Sequence, residues 1–154
     1  MIHHERNLEI DATQDEVWAV ICRYMHIDEF APFVTSVDAL TEGEVGLGSL
    51  RRCHFDNGSS LDEEVVEWQP NRGFRVRLTD LDPMPLNEAF AGISVEPLGD
   101  NRSNVTWSMD YQVKYGPFGW LLGQTVMRVM MGRVLMANLK GLAEKAVSNR
   151  SAAA

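Results

Sequence analysis

Arg51 and Glu64 stand on the two arms of a hairpin centred on Asn57-Gly58, the dipeptide that most favours a two-residue turn between strands. If Asp56 faces Ser59, then Arg51 falls opposite Glu64, Cys53 opposite Asp62 and Ser49 opposite Val66, all on one side of the sheet, because side chains alternate along a strand. Arg52, His54, Leu61, Glu63 and Val65 then share the other side. Val66 and Trp68 favour an inward direction for the Arg51/Glu64 side. An inward Arg–carboxylate pair is partly desolvated, and the fixed fork of guanidinium donors can orient a carbonyl, carboxylate or enolate of a bound molecule. The competing reading is an exposed cross-strand ion pair that adds little stability, and a slip of one residue in register would exchange the two faces.

Around such a polar point the sequence offers an apolar wall. Trp107, Met109 and Tyr111 alternate on one strand, Phe74, Val76 and Leu78 on another, and Met127, Met130, Met131 and Leu135 follow helical spacing. A Met-rich helix suits a ligand of variable shape, because the thioether chain is flexible and polarizable, although plain core packing explains each residue taken singly. Tyr111 has a phenol that could donate a hydrogen bond or a proton at the polar end of an oily pocket, or could be a satisfied core tyrosine. Asp110 has the polar parity of its strand, and Asp80 sits at a strand end, so both are expected to meet water.

Other chemistries are not indicated. His3 and His4 are adjacent near a terminus read as flexible, His26 lies by a short helix and His54 on a strand, so no HxxxH or HExxH spacing exists and neither a metal nor another cofactor is expected. His54 falls on the side opposite Arg51 and reads as a surface histidine. Cys22 and Cys53 have no CxxC spacing, and no Ser-His-acid or Cys-His arrangement can be drawn. The stretch Glu42-Gly43-Glu44-Val45-Gly46-Leu47-Gly48 lacks the Gly-Lys-Ser/Thr ending of a phosphate loop and carries two carboxylates that would repel phosphate. It reads as a turn. Asp82-Pro83-Met84-Pro85-Leu86 reads as a stiff bend with an apolar tip that could cover an opening.

The elements that must position these residues follow from periodicity. Leu8-Glu9-Ile10 alternates as a strand, and Thr13-Gln14-Asp15-Glu16 has capping-box form, which starts a helix near Gln14 with Val17, Trp18, Val20 and Ile21 on its apolar side. A second, very short helix is expected over 27–31, ending before Pro32. From Ser36 to Tyr115 about five or six short antiparallel strands are expected, because β-type runs are punctuated by Gly, Asn-Gly and Pro. The last runs through Val105, Trp107, Met109, Tyr111, Val113 and Tyr115 on its apolar face. After Gly116-Pro117-Phe118-Gly119 the period changes, and Met127, Met131, Leu135, Leu139, Leu142 and Ala146 form the stripe of a long C-terminal helix. The sum is one α+β domain over 1–150 with a short tail at 151–154, in which a curved sheet and a long helix leave a hollow between them.

Taken in order, Ile10-Asp11-Ala12 running into Asp15-Glu16-Val17-Trp18, Phe30-Ala31-Pro32-Phe33-Val34-Thr35-Ser36-Val37, Gly46-Leu47-Gly48-Ser49-Leu50-Arg51, Leu61 through Glu64-Val65-Val66, Val105-Thr106-Trp107 and Leu139-Lys140-Gly141-Leu142 resemble the SRPBCC superfamily, nearest its polyketide cyclase/dehydrase and lipid-transport-like branch. The resemblance covers nearly the whole chain. It implies the helix-grip (START-like, Bet v 1-like) fold, an antiparallel sheet wrapped around the C-terminal helix with one or two short helices after the first strand, and a cavity between sheet and helix. It also places Arg51 in the family's Gly-x-Gly-x-x-Arg pattern, which favours the inside, and puts the Gly46–Gly48 loop at the cavity rim. Fold alone does not choose among binding, carriage and cyclisation.

The 154 residues hold 22 acidic and 14 basic side chains for a formal charge of −8, with 45% hydrophobic residues, enough for an ordinary core. That charge, with basic residues scattered, argues against non-specific binding to nucleic acid or to an anionic bilayer. The start lacks a signal-peptide pattern and no run of 18 apolar residues occurs, so a cytoplasmic protein without stable membrane insertion is expected. The leading expectation is a protein that binds, carries or sequesters a hydrophobic small molecule, with Arg51, Glu64 and Tyr111 as polar contacts and Phe74, Val76, Leu78, Trp107, Met109, Met127, Met131 and Leu135 as wall. The alternatives are a polyketide cyclase/aromatase moving protons with cavity side chains, and a protein-interaction module. Ligand identity, turnover and oligomeric state are open at this level.

Overall fold

The computed structural model describes residues 1–81 and 85–153, so Asp82, Pro83 and Met84 of the expected bend lie outside the described residues. Strand β1 (Ile2–Ile10) is followed by helix α1 (Gln14–Ile21), a 3₁₀ helix (Tyr24–Glu29) and six strands. These are β2 (Val34–Ala39), β3 (Leu50–Phe55), β4 (Ser60–Gln69), β5 (Gly73–Thr79), β6 (Leu86–Gly99) and β7 (Arg102–Val113); helices α2 (Gly116–Gln124) and α3 (Val126–Ala153) complete the chain. The strands form one antiparallel sheet in the order β1-β7-β6-β5-β4-β3-β2, with α3 lying chiefly on β1 and α1. This is the helix-grip fold expected from the sequence.

Local chemistry sets the boundaries. The Thr13 hydroxyl accepts from the Glu16 N–H at 3.1 Å while the Glu16 carboxylate accepts from the Thr13 N–H at 2.8 Å, the reciprocal capping box read from the sequence. Register shifts at Val34/Ser36, Val65/Glu67, Leu86/Glu88 and Pro97/Gly99 insert extra residues into the ladders, and such bulges bend and twist a strand, which is how the sheet acquires its curve. The side chains facing α1 and α3 form two clusters. One joins Val17, Ile21, Trp107, Leu135, Leu139 and Leu142; the other joins Tyr24, Leu61, Val65, Val76, Met109 and Tyr111, with Met127 and Met131 half-buried against it.

Four expectations need correction. The final strand ends at Val113, and Tyr115, at φ 78°, instead precedes α2, so its ring is exposed. The Gly-Pro-Phe-Gly segment, after which the helical period was expected to begin, itself opens α2: Pro at the first turn of a helix loses no intrahelical hydrogen bond. The N-terminus is not flexible, because β1 pairs along its length with β7 and buries His4. Met130 is exposed rather than part of the inner wall. Replacing Thr13 by Ala is expected to lower stability by about 1 kcal/mol in urea unfolding, since the helix start then loses its side-chain acceptor.

Candidate functional site

The hairpin that carries Arg51 closes through three residues, not two. Asp56 and Asn57 make the turn and Gly58 takes φ +86°, a conformation that L side chains rarely adopt, so the glycine is needed one place later than a two-residue turn requires. Asn57 Oδ1 accepts the Ser59 N–H at 2.9 Å and holds the turn. The register therefore moves by one: Arg51 pairs with Glu63 and Cys53 with Leu61, while Glu64 faces Arg77 across the outer surface. Leu61, Glu63 and Val65 share the inner face with Arg51 and Cys53, correcting the expected partition of this hairpin. The bulge at Val65/Glu67 explains why Trp68 misled: it resets parity, so Val65 and Trp68 both point inward although their numbers differ by three.

Arg51 is 3% exposed. Its Nε donates to Glu63 Oε2 at 2.8 Å, its Nη2 donates to the same oxygen, and its Nη1 donates to the Tyr24 carbonyl. The guanidinium also lies 3.8 Å above the Tyr24 ring, and the Tyr24 hydroxyl donates to the Glu63 carbonyl at 2.7 Å. Burial works against the charge, but Glu63 and the neighbouring Tyr24 and Cys53 hold the guanidinium pKa above its ordinary value. Burial pushes the Cys53 thiol up to about 12, with Glu63 adding to the rise, so Cys53 is a protonated core thiol and no nucleophile.

Beside this pair is a hollow of about 30 Å³ lined by Arg51, Glu63, Phe74, Val76, Ala91, Gly92, Ile93 and Trp107, at the seam between the two core clusters. Of the wall residues named from sequence, Phe74, Val76 and Trp107 reach it. Leu78, Met109, Met127, Met131 and Leu135 face the same side of the sheet but are spent on packing around it. A larger depression, about 520 Å³, is elsewhere: it opens along the outward row Glu67, Arg75, Gly92 and Ser108 and reaches Gln14 and Arg72, a polar surface unsuited to an oily molecule.

Tyr111 belongs to a second buried constellation that sequence reasoning missed. Its hydroxyl meets His4 Nε2 at 2.7 Å and the Gly123 carbonyl at 3.3 Å, and it does not line the Arg51 hollow. Burial lowers the His4 pKa, with Arg128 acting in the same sense, so the ring is neutral; the phenol gives its one proton to the Gly123 carbonyl and accepts from His4 Nε2–H. The signal was present in β1, where Ile2, His4, Leu8 and Ile10 share one parity. Asp110, expected to meet water, is instead mostly covered and paired with His3 at 2.6 Å and Arg75 at 3.1 Å. Asp80 is exposed at its strand end, and His54, on the outer side, pairs with Asp38 at 2.8 Å.

Residues 1–147 match the family model described as polyketide cyclase/dehydrase and lipid transport. No curated protein matches the sequence at a significant level. Among solved structures the chain is similar to XoxI from Bacillus cereus, at 20% identity and TM-score 0.78 over 97% of this chain and 99% of that one. It is similar to the Zhui aromatase/cyclase from Streptomyces sp. R1128, at 18% identity and TM-score 0.76 over 94% and 93% of the two chains. It is also similar to a norcoclaurine synthase from Thalictrum flavum, at 17% and 0.74 over 97% and 96%. Likeness at these identities establishes the shared fold.

Two measurements check the site. Glu63→Gln leaves a buried guanidinium without its counter-charge and is expected to cost about 3–5 kcal/mol. Glu64→Gln, on the outer face, is expected to stay within about 0.5 kcal/mol of wild type; equal costs would mean that the register is wrong. For His4, the folded protein binds a proton less readily than the unfolded chain, so this group's stability is full above about pH 6.5 and is lost as pH falls through that value toward the lower folded pKa. His4→Gln should therefore lose less stability than wild type between about pH 7.5 and about pH 5 in urea titrations. His3, whose pKa is raised by its hydrogen bond to Asp110, has the opposite sign but is common to both proteins.

Proposed function

The chain belongs to the polyketide cyclase/dehydrase and lipid-transport family, and on that premise we propose that it binds a small, largely apolar molecule between the inner face of the sheet and α3, with Arg51 gripping an oxygen-bearing group of that molecule. The observation that carries this reading is a fully buried guanidinium at the edge of an apolar hollow. Its N–H groups serve Glu63, the Tyr24 carbonyl and the Cys53 thiol, and the guanidinium lines the hollow together with Phe74, Val76 and Trp107. A buried cation is expensive as a packing device alone, since apolar side chains of similar volume would serve the core as well. A carbonyl or carboxylate at this point would receive a charge-assisted hydrogen bond, and the apolar remainder would be stabilised by about 25 cal/mol for each Å² buried.

The hollow has about the volume of one water as it stands, so a larger occupant requires neighbouring side chains to repack. Met127 and Met131, half-buried on α3, are the flexible side chains best able to give way. A second reading, cyclisation of a poly-β-ketone, draws on the same guanidinium, which would hold a developing enolate, with Glu63 as the carboxylate in the lining. Fold likeness to an aromatase/cyclase supports it no further than that.

Native mass spectrometry of protein purified from its own host is expected to find a stoichiometric apolar molecule. Protein that comes out empty, and that also binds neither a fatty-acid panel nor a hydrophobic dye, overturns the binding reading. Replacing the ion pair together, Arg51→Met with Glu63→Leu, keeps the site packed and is expected to weaken an oxygen-bearing ligand by about tenfold or more. Unchanged affinity would remove Arg51 from the site.

A further inference from the structure

Among the described residues, eight of the fourteen exposed large apolar side chains lie between Tyr115 and Val134. Helix α2 turns Gly119 and Gly123 toward the sheet, where a Cβ at Gly123 would collide with the Ile2 side chain, and this close seat leaves Phe118, Trp120 and Leu121 outward. On the first half of α3, Met127, Met131 and Leu135 face the core, while Val126, Val129 and Met130 recur at three- and four-residue spacing on the exposed side. A helix apolar on two sides is ordinarily covered on both. Here one side is bare.

Charge says what covers it. From Tyr111 to Ala143 the sequence has Lys114, Arg128, Arg133 and Lys140 and no Asp or Glu, whereas the remainder of the chain sets 22 acids against ten bases. The scatter of basic residues inferred from the sequence thus fails in this one window. A two-fold contact between copies through this face would bring the same cations together, which disfavours a second copy. Exposed Trp, Tyr and aliphatic side chains interspersed with Arg and Lys instead match the surface of an anionic bilayer, where headgroups attract the cations and the acyl boundary takes the apolar groups. Repulsion from the acidic remainder is screened over about 8 Å at physiological salt, so the charges nearest the lipid decide the sign.

We propose that α2 and the first half of α3 form a docking surface for membranes containing anionic lipid. No helix among the described residues is long and apolar enough to cross a bilayer, so the contact is peripheral. It stands independently of whether the hollow beside Arg51 is occupied.

The test is flotation of the full chain with vesicles of phosphatidylcholine alone and with added phosphatidylserine, read also by tryptophan emission. Expected are binding to the phosphatidylserine vesicles only, a blue shift that Trp120→Phe abolishes, and a partition at least about fivefold lower in Arg133→Glu. Loss of binding in Trp120→Ser with Val129→Ser, both exposed positions that leave the core intact, would support the same surface. No association with phosphatidylserine vesicles at low salt overturns the proposal. So does association that all these variants retain, or a wild-type dimer that Trp120→Ser converts to monomer.

Discussion

A cation with almost no access to water has to be compensated wherever the chain goes, and Arg51 imposes that condition on three elements at once. Its partners come from β4 through Glu63 and from the 3₁₀ helix through the carbonyl and ring of Tyr24. The 3₁₀ helix is thereby fastened to the sheet by a charged contact rather than by apolar packing alone. The same condition discriminates between registers: moving β4 by one residue turns Glu63 outward and brings Glu64 to the inner row, shifting every apolar neighbour with it. Leu61 and Val65, both buried, prefer the register that also satisfies the guanidinium, so packing and electrostatics agree.

That agreement was only half visible in the sequence. The capping box at Thr13 and Glu16, the alternation from Val105 to Val113 and the stripe from Met127 to Ala146 are signals in which side-chain type and spacing carry the physics directly. Their elements form as read, save that the last strand stops at Val113 short of Tyr115. The partner of Arg51 was misassigned because an Asn-Gly pair fits both a two-residue turn and a three-residue loop with glycine in the third place, and nothing in the dipeptide distinguishes them. Trp68 then pointed to the wrong face, because a bulge three residues earlier is invisible to a period-two argument. His4 was passed over for its position near the terminus, although its parity matches that of Ile2 and Ile10.

The two polar constellations of the interior differ in kind. His4 and Tyr111 satisfy each other and the Gly123 carbonyl as neutral partners, so they tie β1 and β7 to α2 with their donors and acceptors engaged. Arg51 keeps its charge, and both of its bonds to Glu63 fall on one carboxylate oxygen. A neutral cluster suits a structural tie. A charged one at the edge of a hollow suits recognition, which is why the functional reading rests on Arg51 and not on Tyr111, which does not line that hollow.

Helix α3 is held unequally along its length. Leu135, Leu139, Leu142 and Ala146 are fully buried along its middle, whereas Met127 and Met131 in its first two turns are only partly covered, and α2 before them sits on the sheet through glycines. Local opening draws on the segments with the least buried apolar surface, so the start of α3 is where the sheet and the helix would separate most readily. That segment carries both the flexible side chains beside the second core cluster and the bare apolar, basic surface outside. If the hollow is occupied and the outer surface meets lipid, both as proposed, an apolar ligand would enter where that segment opens, and the exposed aromatic residues of α2 would then cover it from water.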